Sequence, residues 1–528
     1  MRKRVLNFIL KTICIFTCVC LVHTQVAFAF DLRVNITDDS IKNVGREMYG
    51  MDFTFTSLEP FVNDDLSLKY DVINQFQGYP IPNSRMMGTA SRYYRWKNSI
   101  GPYSERDFIG YYSFEKEKVG IVEWIKIVRE IDPDATFTFT LNLETDTASN
   151  AADLAEFLTG DGSINYNGGI DWAAKRIELG LENPIPIIWE LGNETDQSSF
   201  NLIYNFSPKD YVRVAKKYIY AIRKVDPDAV FAAHSATNTL SFDDPQDQIT
   251  NRGGWNRYVL TELQDYIDYF IFHCYGSIAQ NVLKLETNLD FAIDDMKSTV
   301  SPENSERIKL YFTEFSVIVS GEITDEKYKE GHQLKGALVV SEMINRLLHV
   351  PEVERANYHV FMNPHTRGAF YQTDINGPNA GAYKPSVMGE LIKMYADYGV
   401  GTVVSSSLQL FIYTWSDYYK DGTEAGVTSA VVKNGNRYNV FLCNQENMDH
   451  RLTFSLPDGS YKLVSQKVIS GPALTSSSWY SSTYPDIAET DDIEVVYTTP
   501  YTDVKSKSTV FGIPKYSITV FELENTDG

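Results

Sequence analysis

Between residues 45 and 400 the chain alternates short apolar runs with longer stretches whose apolar residues recur every three or four positions. The runs cover 46–53, 83–88, 136–143, 185–192, 229–235, 269–275, 308–315 and 356–363. The stretches between most of them have helical spacing. In 210–225, Val212, Ala215, Tyr218, Ile219 and Ile222 fall on one face, and 334–350 repeats the pattern. Near-continuous apolar strands separated by helices are parallel strands covered on both faces. Eight such units predict an α/β fold closed as a (β/α)8 TIM barrel over 45–400.

After residue 400 the period changes to two. "SLQLFIYTW", "RLTFSLPDGSYKLVSQKVI" and "YSITVFELE" alternate apolar and polar positions around "NGN" and "PDGS" turns. They predict a C-terminal antiparallel β-sandwich over 401–528. The strand "DLRVNI" precedes the barrel with no helix after it, so 30–44 is assigned to the sandwich as an N-terminal joining strand. The Ser/Thr-rich loop 471–492 is expected to be exposed and mobile.

The first 29 residues carry a basic start ("MRKR"), an apolar stretch ("ICIFTCVCLV") and small residues at Ala27 and Ala29. That pattern predicts a cleaved signal peptide, hence a secreted, extracellular protein with no stable membrane insertion after cleavage. Three of the five cysteines lie in that segment, which leaves Cys274 and Cys443. Both sit in apolar runs and predict buried free thiols. A net charge of −21 excludes a polyanionic nucleic acid as main partner. No Cys/His metal spacing occurs, and no metal or organic cofactor is expected.

In a (β/α)8 barrel the reactive side chains leave the C-terminal ends of the strands. Those ends carry Arg85, Asn142, Asn193 with Glu194, His273 with Tyr275, Glu314, and Asn363 with His365. Glu194 and Glu314 lie three strands apart and would face each other across the barrel mouth. Two carboxylates at close range are the machinery of retaining glycoside hydrolysis, one as acid and then base, the other as nucleophile. Asn193 would bond a sugar hydroxyl. Tyr275 and His273 would position Glu314, and Arg85 would keep it ionised. Glu190 is expected to be structural and paired with a base. His234 is expected to be a core histidine, and Tyr93, Tyr94 and Trp96 are candidates for lining a cleft. The partner is then a carbohydrate substrate.

"WELGNE" followed by "FTEF" resembles the acid/base and nucleophile motifs of the clan A glycoside hydrolases, and the chain most resembles family 51, the α-L-arabinofuranosidases. "RMMGTASRYYRWKNSIGP", "LNLETDTASNAADLAEFL", "LVVSEMINRLLHV…ANYHVFMN" and "GIPKYSITVFELE" are similar to further segments of that family. The resemblance implies Glu194 as acid/base, Glu314 as nucleophile, and Asn193, Tyr275 and Arg85 as site residues. It also implies a homo-oligomer by analogy with family relatives. Two positions depart from the family. Thr54 stands where a sugar-binding glutamate is usual, and Ala90 where an asparagine is usual. Two polar sugar contacts are thereby lost, which bears on specificity. An endo-β-glucanase or xylanase, a β-glucuronidase, a transglycosylase and a non-catalytic carbohydrate-binding protein stay open as alternatives.

Overall fold

A computed structural model describes residues 31–527 apart from 108–115, 198–205, 238–252, 277–282, 319–328, 364–366, 374–380, 412–425 and 478–491. Strand β1 (Asp31–Val44) comes first. Eight parallel strands then close a barrel: β2 (Gly50–Phe53), β3 (Asn83–Met86), β4 (Thr136–Thr140), β5 (Ile187–Glu190), β6 (Val230–His234), β7 (Tyr269–Gly276), β8 (Lys309–Val317) and β9 (Val353–Tyr358). Closure is made by β2, which pairs with β3 on one side and β9 on the other. Each of the eight apolar runs contains or overlaps one barrel strand.

The crossovers are helical for the reasons the sequence supplies. Helix Pro208–Ile222 starts at Ser207, whose hydroxyl accepts from the Asp210 amide, with proline in the first turn. Val212, Ala215, Tyr218, Ile219 and Ile222 form its buried face. The β2–β3 connection is an exception, with only short turns and helices of four residues or fewer. His365 and most of the loop 471–492 fall outside the described residues.

After the barrel, β10 (Phe370–Gln372) pairs with β11 (Tyr383–Pro385), and the C-terminal strands are β12 (Gly401–Phe411), β13 (Val427–Asn434), β14 (Arg437–Asn444), β15 (His450–Ser455), β16 (Tyr461–Ser470), β17 (Glu494–Thr498), β18 (Thr502–Val504), β19 (Phe511–Ile513) and β20 (Ser517–Asn525). Their pairing is antiparallel except for β1 with β15. The order β17-β16-β20-β14-β13-β12-β1-β15-β19 places β15 and β19 at the far end from β20. Yet Phe454 and Phe511, from β15 and β19, each pack 5.4 Å from Phe521 of β20. The sheet therefore folds over onto its own apolar face as a sandwich. Its other side packs on the barrel: Tyr395 stacks on Phe441 at 4.5 Å, and the Cys443 thiol donates to the Leu338 carbonyl. Cys274 and Cys443 are both buried and free.

Strand β1 pairs antiparallel with β12 and parallel with β15. It also reaches the barrel through one side chain. The Lys42 ammonium is buried and donates to the carbonyls of Leu347, Val350 and Val353 at 2.8–2.9 Å. Those carbonyls lie at the end of helix Leu334–Leu348 and the start of β9, where intrahelical partners run out. Replacing Lys42 by Met keeps the apolar stem but leaves these acceptors unsatisfied. The expected loss is about 1–3 kcal/mol, read as a lower denaturant midpoint at unchanged slope.

Candidate active site

The barrel interior is polar from its floor upward. Asn83, Thr138, Tyr311 and Asn357 form a buried hydrogen-bonded layer. Above it lies Arg85, fully buried and surrounded by acceptors. Its Nε and Nη2 bind the two oxygens of Glu190 at 2.7 and 2.8 Å, and Nη1 binds Glu314 Oε1 at 2.7 Å. Nη1 also reaches Asp52 at 3.3 Å, and Nη2 reaches the Asn193 side-chain oxygen at 2.8 Å. Glu190 is thus structural and paired with a base, and Thr140 supplies it a further hydrogen bond. The next layer approaches closely: a Cβ on Gly88 would lie 3.3 Å from Glu314 Oε1, and its φ of +50° suits glycine.

Glu314 sits on β8 where the ladder to β7 slips. Phe272 pairs with Phe312, but His273 pairs with Glu314, so Thr313 is the extra residue of a bulge. The bulge re-aims the carboxylate toward the mouth. Tyr275 donates to Glu314 Oε2, and Arg85 holds the other oxygen. Burial works against ionisation of Glu314, but His273, Arg85 and His359 outweigh it and hold the carboxyl well below its usual range.

His273 links the two carboxylates. Its Nδ1 is 2.8 Å from Glu194 Oε1 and 3.6 Å from Glu314 Oε2, while Nε2 meets the Thr313 hydroxyl at 3.0 Å. Ligating atoms of Glu194, His273 and Glu314 all lie within 4.8 Å of one another. Burial alone would lower the imidazole pKa. Glu314, and then Glu194, reverse that and raise it to about 9. Asp52, Glu314 and His359 form a second such group. Either trio has donor atoms suited to a cation, and in both the members already pair with one another: His273 with Glu194, Tyr275 and Arg85 with Glu314, His359 with Asp52.

Glu194 lies just beyond β5 with a left-handed backbone (φ 46°), unusual for a side-chain-bearing residue. The loop around it is tied down from below. His234 donates from Nδ1 to the Ser235 carbonyl, so its Nε2 accepts from the Thr195 hydroxyl at 2.9 Å. Stacked against Trp255, His234 is a satisfied core residue that supports the loop. Asn193 is buried, its side chain held by Arg85.

Asn142 and Trp96, expected at the substrate, have their polar atoms engaged elsewhere. Asn142 accepts from the amides of Glu144 and Thr145 and donates to the Tyr94 carbonyl and Thr145 hydroxyl, shaping its own turn. Trp96 is buried against Trp172 and Phe157, with its indole N–H on the Asn150 carbonyl. Tyr94 is buried as well, whereas Tyr93 is exposed. Thr54 caps the helix Phe55–Leu58. Two residues unforeseen from sequence join the site: Asp52 binds Arg85, and His359 donates to Asp52. Asp52 is hidden in the apolar run "GMDF". His359 directly follows Tyr358, the last residue of β9, and lies inside the run 356–363, whose strand end is expected at Asn363 and His365.

With this geometry in hand, comparison with known proteins is informative. Residues 83–290 match the model of the α-L-arabinofuranosidase 1 domain. An intracellular exo-α-(1→5)-L-arabinofuranosidase of Streptomyces lividans is 25% identical over 241 residues, 42% of this chain and 33% of the relative. The aligned part thus spans about a third of that relative. Among solved structures, the arabinose complex of the Thermotoga maritima α-L-arabinofuranosidase superposes with a TM-score of 0.70 at 18% identity, covering 94% of this chain and all of that one. The family 51 arabinofuranosidase of Xanthomonas axonopodis pv. citri does so with 0.70 at 15% identity, covering 94% and 100%.

The expectation of secretion is corrected by the same comparison. The Streptomyces lividans relative is named an intracellular enzyme, which points against export. The basic, apolar and small-residue run that suggested a signal peptide lies in residues 1–30, outside the described ones. Among the described residues no helix is long and apolar enough to cross a membrane. Residues 83–290 are thus similar to the α-L-arabinofuranosidase 1 domain, and the chain shares the barrel-and-sandwich fold of the solved arabinofuranosidases.

Proposed function

We propose that this protein is a retaining glycoside hydrolase, acting on oligosaccharide or polysaccharide and most like an α-L-arabinofuranosidase. The observation that carries the reading is the approach of Glu194 and Glu314 to within 4.8 Å, bridged by His273. Retaining enzymes place their carboxyl groups about 5–5.5 Å apart, whereas inverting ones leave about 6.5–9.5 Å for a water. The domain division at about residue 400 belongs to the same reading, with the barrel carrying the chemistry.

Glu314 is the nucleophile. Kept ionised by its cations, it attacks the anomeric carbon with one oxygen while Tyr275 and Arg85 hold the carboxylate in place. Glu194 and His273 share a proton across 2.8 Å, and Glu194 delivers it to the leaving oxygen. Esterification then removes the charge on Glu314. That charge is the strongest of the influences raising the His273 pKa, so the pair loses proton affinity. Glu194 thereby becomes the base that takes a proton from water in the second half-reaction.

A second reading, a β-glucuronidase on the same scaffold, is favoured by Arg367. Its guanidinium lies 5.5 Å from the centre of the Tyr275 ring, and its buried Nε has no hydrogen-bond partner among the described residues. A guanidinium this close to the tyrosine on Glu314 suits a carboxylate on the sugar.

A panel of aryl glycosides tests these readings. Glu314→Gln should lose nearly all turnover of whichever glycoside the wild type cleaves. A wild type inert on every member that still binds polysaccharide would instead be a binding protein. Activity on the aryl β-glucuronide, lost in Arg367→Gln, would select the second reading over the arabinofuranosidase.

The pH profile follows from the two shifts. Glu314 stays ionised well into acid, so the acid limb should lie below the ordinary carboxylate range. Activity should fall as pH rises through about 9, where His273 loses the proton it holds against Glu314 and Glu194. In His273→Gln the titrating imidazole is gone, so that alkaline limb of kcat/KM should disappear from its place near 9.

A further inference from the structure

Arg92 lies on the turn after β3 and is almost fully buried. Its Nη2 donates to two successive backbone carbonyls, those of Asn193 (2.9 Å) and Glu194. It thus grips the peptide that presents the Glu194 carboxylate from the backbone side, opposite to the His273 contact. The grip falls where the chain needs one, because Glu194 has the left-handed φ of 46° that side-chain-bearing residues disfavour. Two carbonyls brought to a single N–H donor group crowd their negative ends together, and a guanidinium offsets that where a neutral donor would not.

Arg92 is itself held. Its Nε is 3.1 Å from the Glu144 carboxylate, and both side chains are only 2% exposed. The Thr145 hydroxyl donates to the Arg92 carbonyl at 2.7 Å. Asn142 in turn fixes the Glu144–Thr145 turn through both amides. A chain of contacts therefore runs from the end of β4, through Arg92, to the residue beyond β5. Among the described residues, none of these side chains bonds the carboxyl oxygens of Glu194 or Glu314.

We infer that Arg92, braced by Glu144, is a positioning residue that fixes the backbone of Glu194 so that its carboxyl meets the leaving oxygen. The inference rests on the assignment of Glu194 as acid/base. Its consequence is selective. A misaimed acid slows departure of poor leaving groups, which need the proton, and leaves good leaving groups nearly untouched, since the nucleophile and its Arg85 and Tyr275 contacts are unchanged.

The test uses the full-length protein and two glycosides of the sugar the wild type cleaves best, one with a dinitrophenyl and one with an unactivated alkyl or phenyl leaving group. Arg92→Met should lower kcat/KM by about 10²-fold on the poor leaving group and by less than about threefold on the good one. Arg92→Lys, which keeps the charge but not the fork, should recover part of the loss. Glu144→Gln should show the same selectivity at smaller amplitude, and it decides the matter if Arg92→Met does not fold. Equal losses on both substrates, or none on either, would overturn the inference. Failure of the wild type on all glycosides would overturn the functional reading instead.

Discussion

The arrangement at the barrel mouth depends on one buried guanidinium. Arg85 has no exposure and answers the carboxylates of Glu190, Glu314 and Asp52 and the side-chain oxygen of Asn193. Buried charges persist only when paired and hydrogen-bonded. Here one cation makes three buried acids tolerable and sets where each one sits. It orients Asn193, and with it the residue beyond, while holding one oxygen of Glu314 from beneath. The floor, Glu314 and the loop bearing Glu194 are thereby referenced to a single planar group, which a flexible ammonium would not achieve.

The barrel was legible because its signal is redundant. Eight apolar runs with helical spacing between most of them leave few other topologies, and strand ends then point to Glu194 and Glu314 by position alone. The same logic brought Arg85, Asn193, His273 and Tyr275 to the site. It assigned His273 to the nucleophile, however, and the shorter contact is to Glu194, because the bulge at Thr313 shifts β8 by one residue against β7. A bulge leaves no mark in an apolar run. Asn142 and Trp96 show the opposite limit: they occupy strand-end and loop positions that look functional, and turn geometry and ring packing claim them. Asp52 was missed because a carboxylate inside a four-residue strand reads as a break in the pattern rather than as the partner of an arginine 33 positions later.

Thr54 and Ala90 are the positions at which the chain departs from the family 51 motifs it resembles. Thr54 serves as a helix cap, and in the same neighbourhood Asp52 and His359 form a hydrogen-bonded pair. Acid, imidazole and guanidinium groups thus lie around Glu314. Two glutamates kept beside changed neighbouring positions fit a scaffold in which recognition groups vary.

Strand β1 has a consequence for how the molecule is made. Among the described strands it is made earliest, yet its partners β12 and β15 lie some 370–420 positions downstream. The barrel is complete by Tyr358, before either partner has been synthesised. The nascent chain thus carries an unpaired, alternately apolar edge throughout barrel assembly. Such a segment is open to mispairing, and Lys42 offers it an early mooring on the barrel, at the end of helix Leu334–Leu348, while it waits for the sheet to arrive.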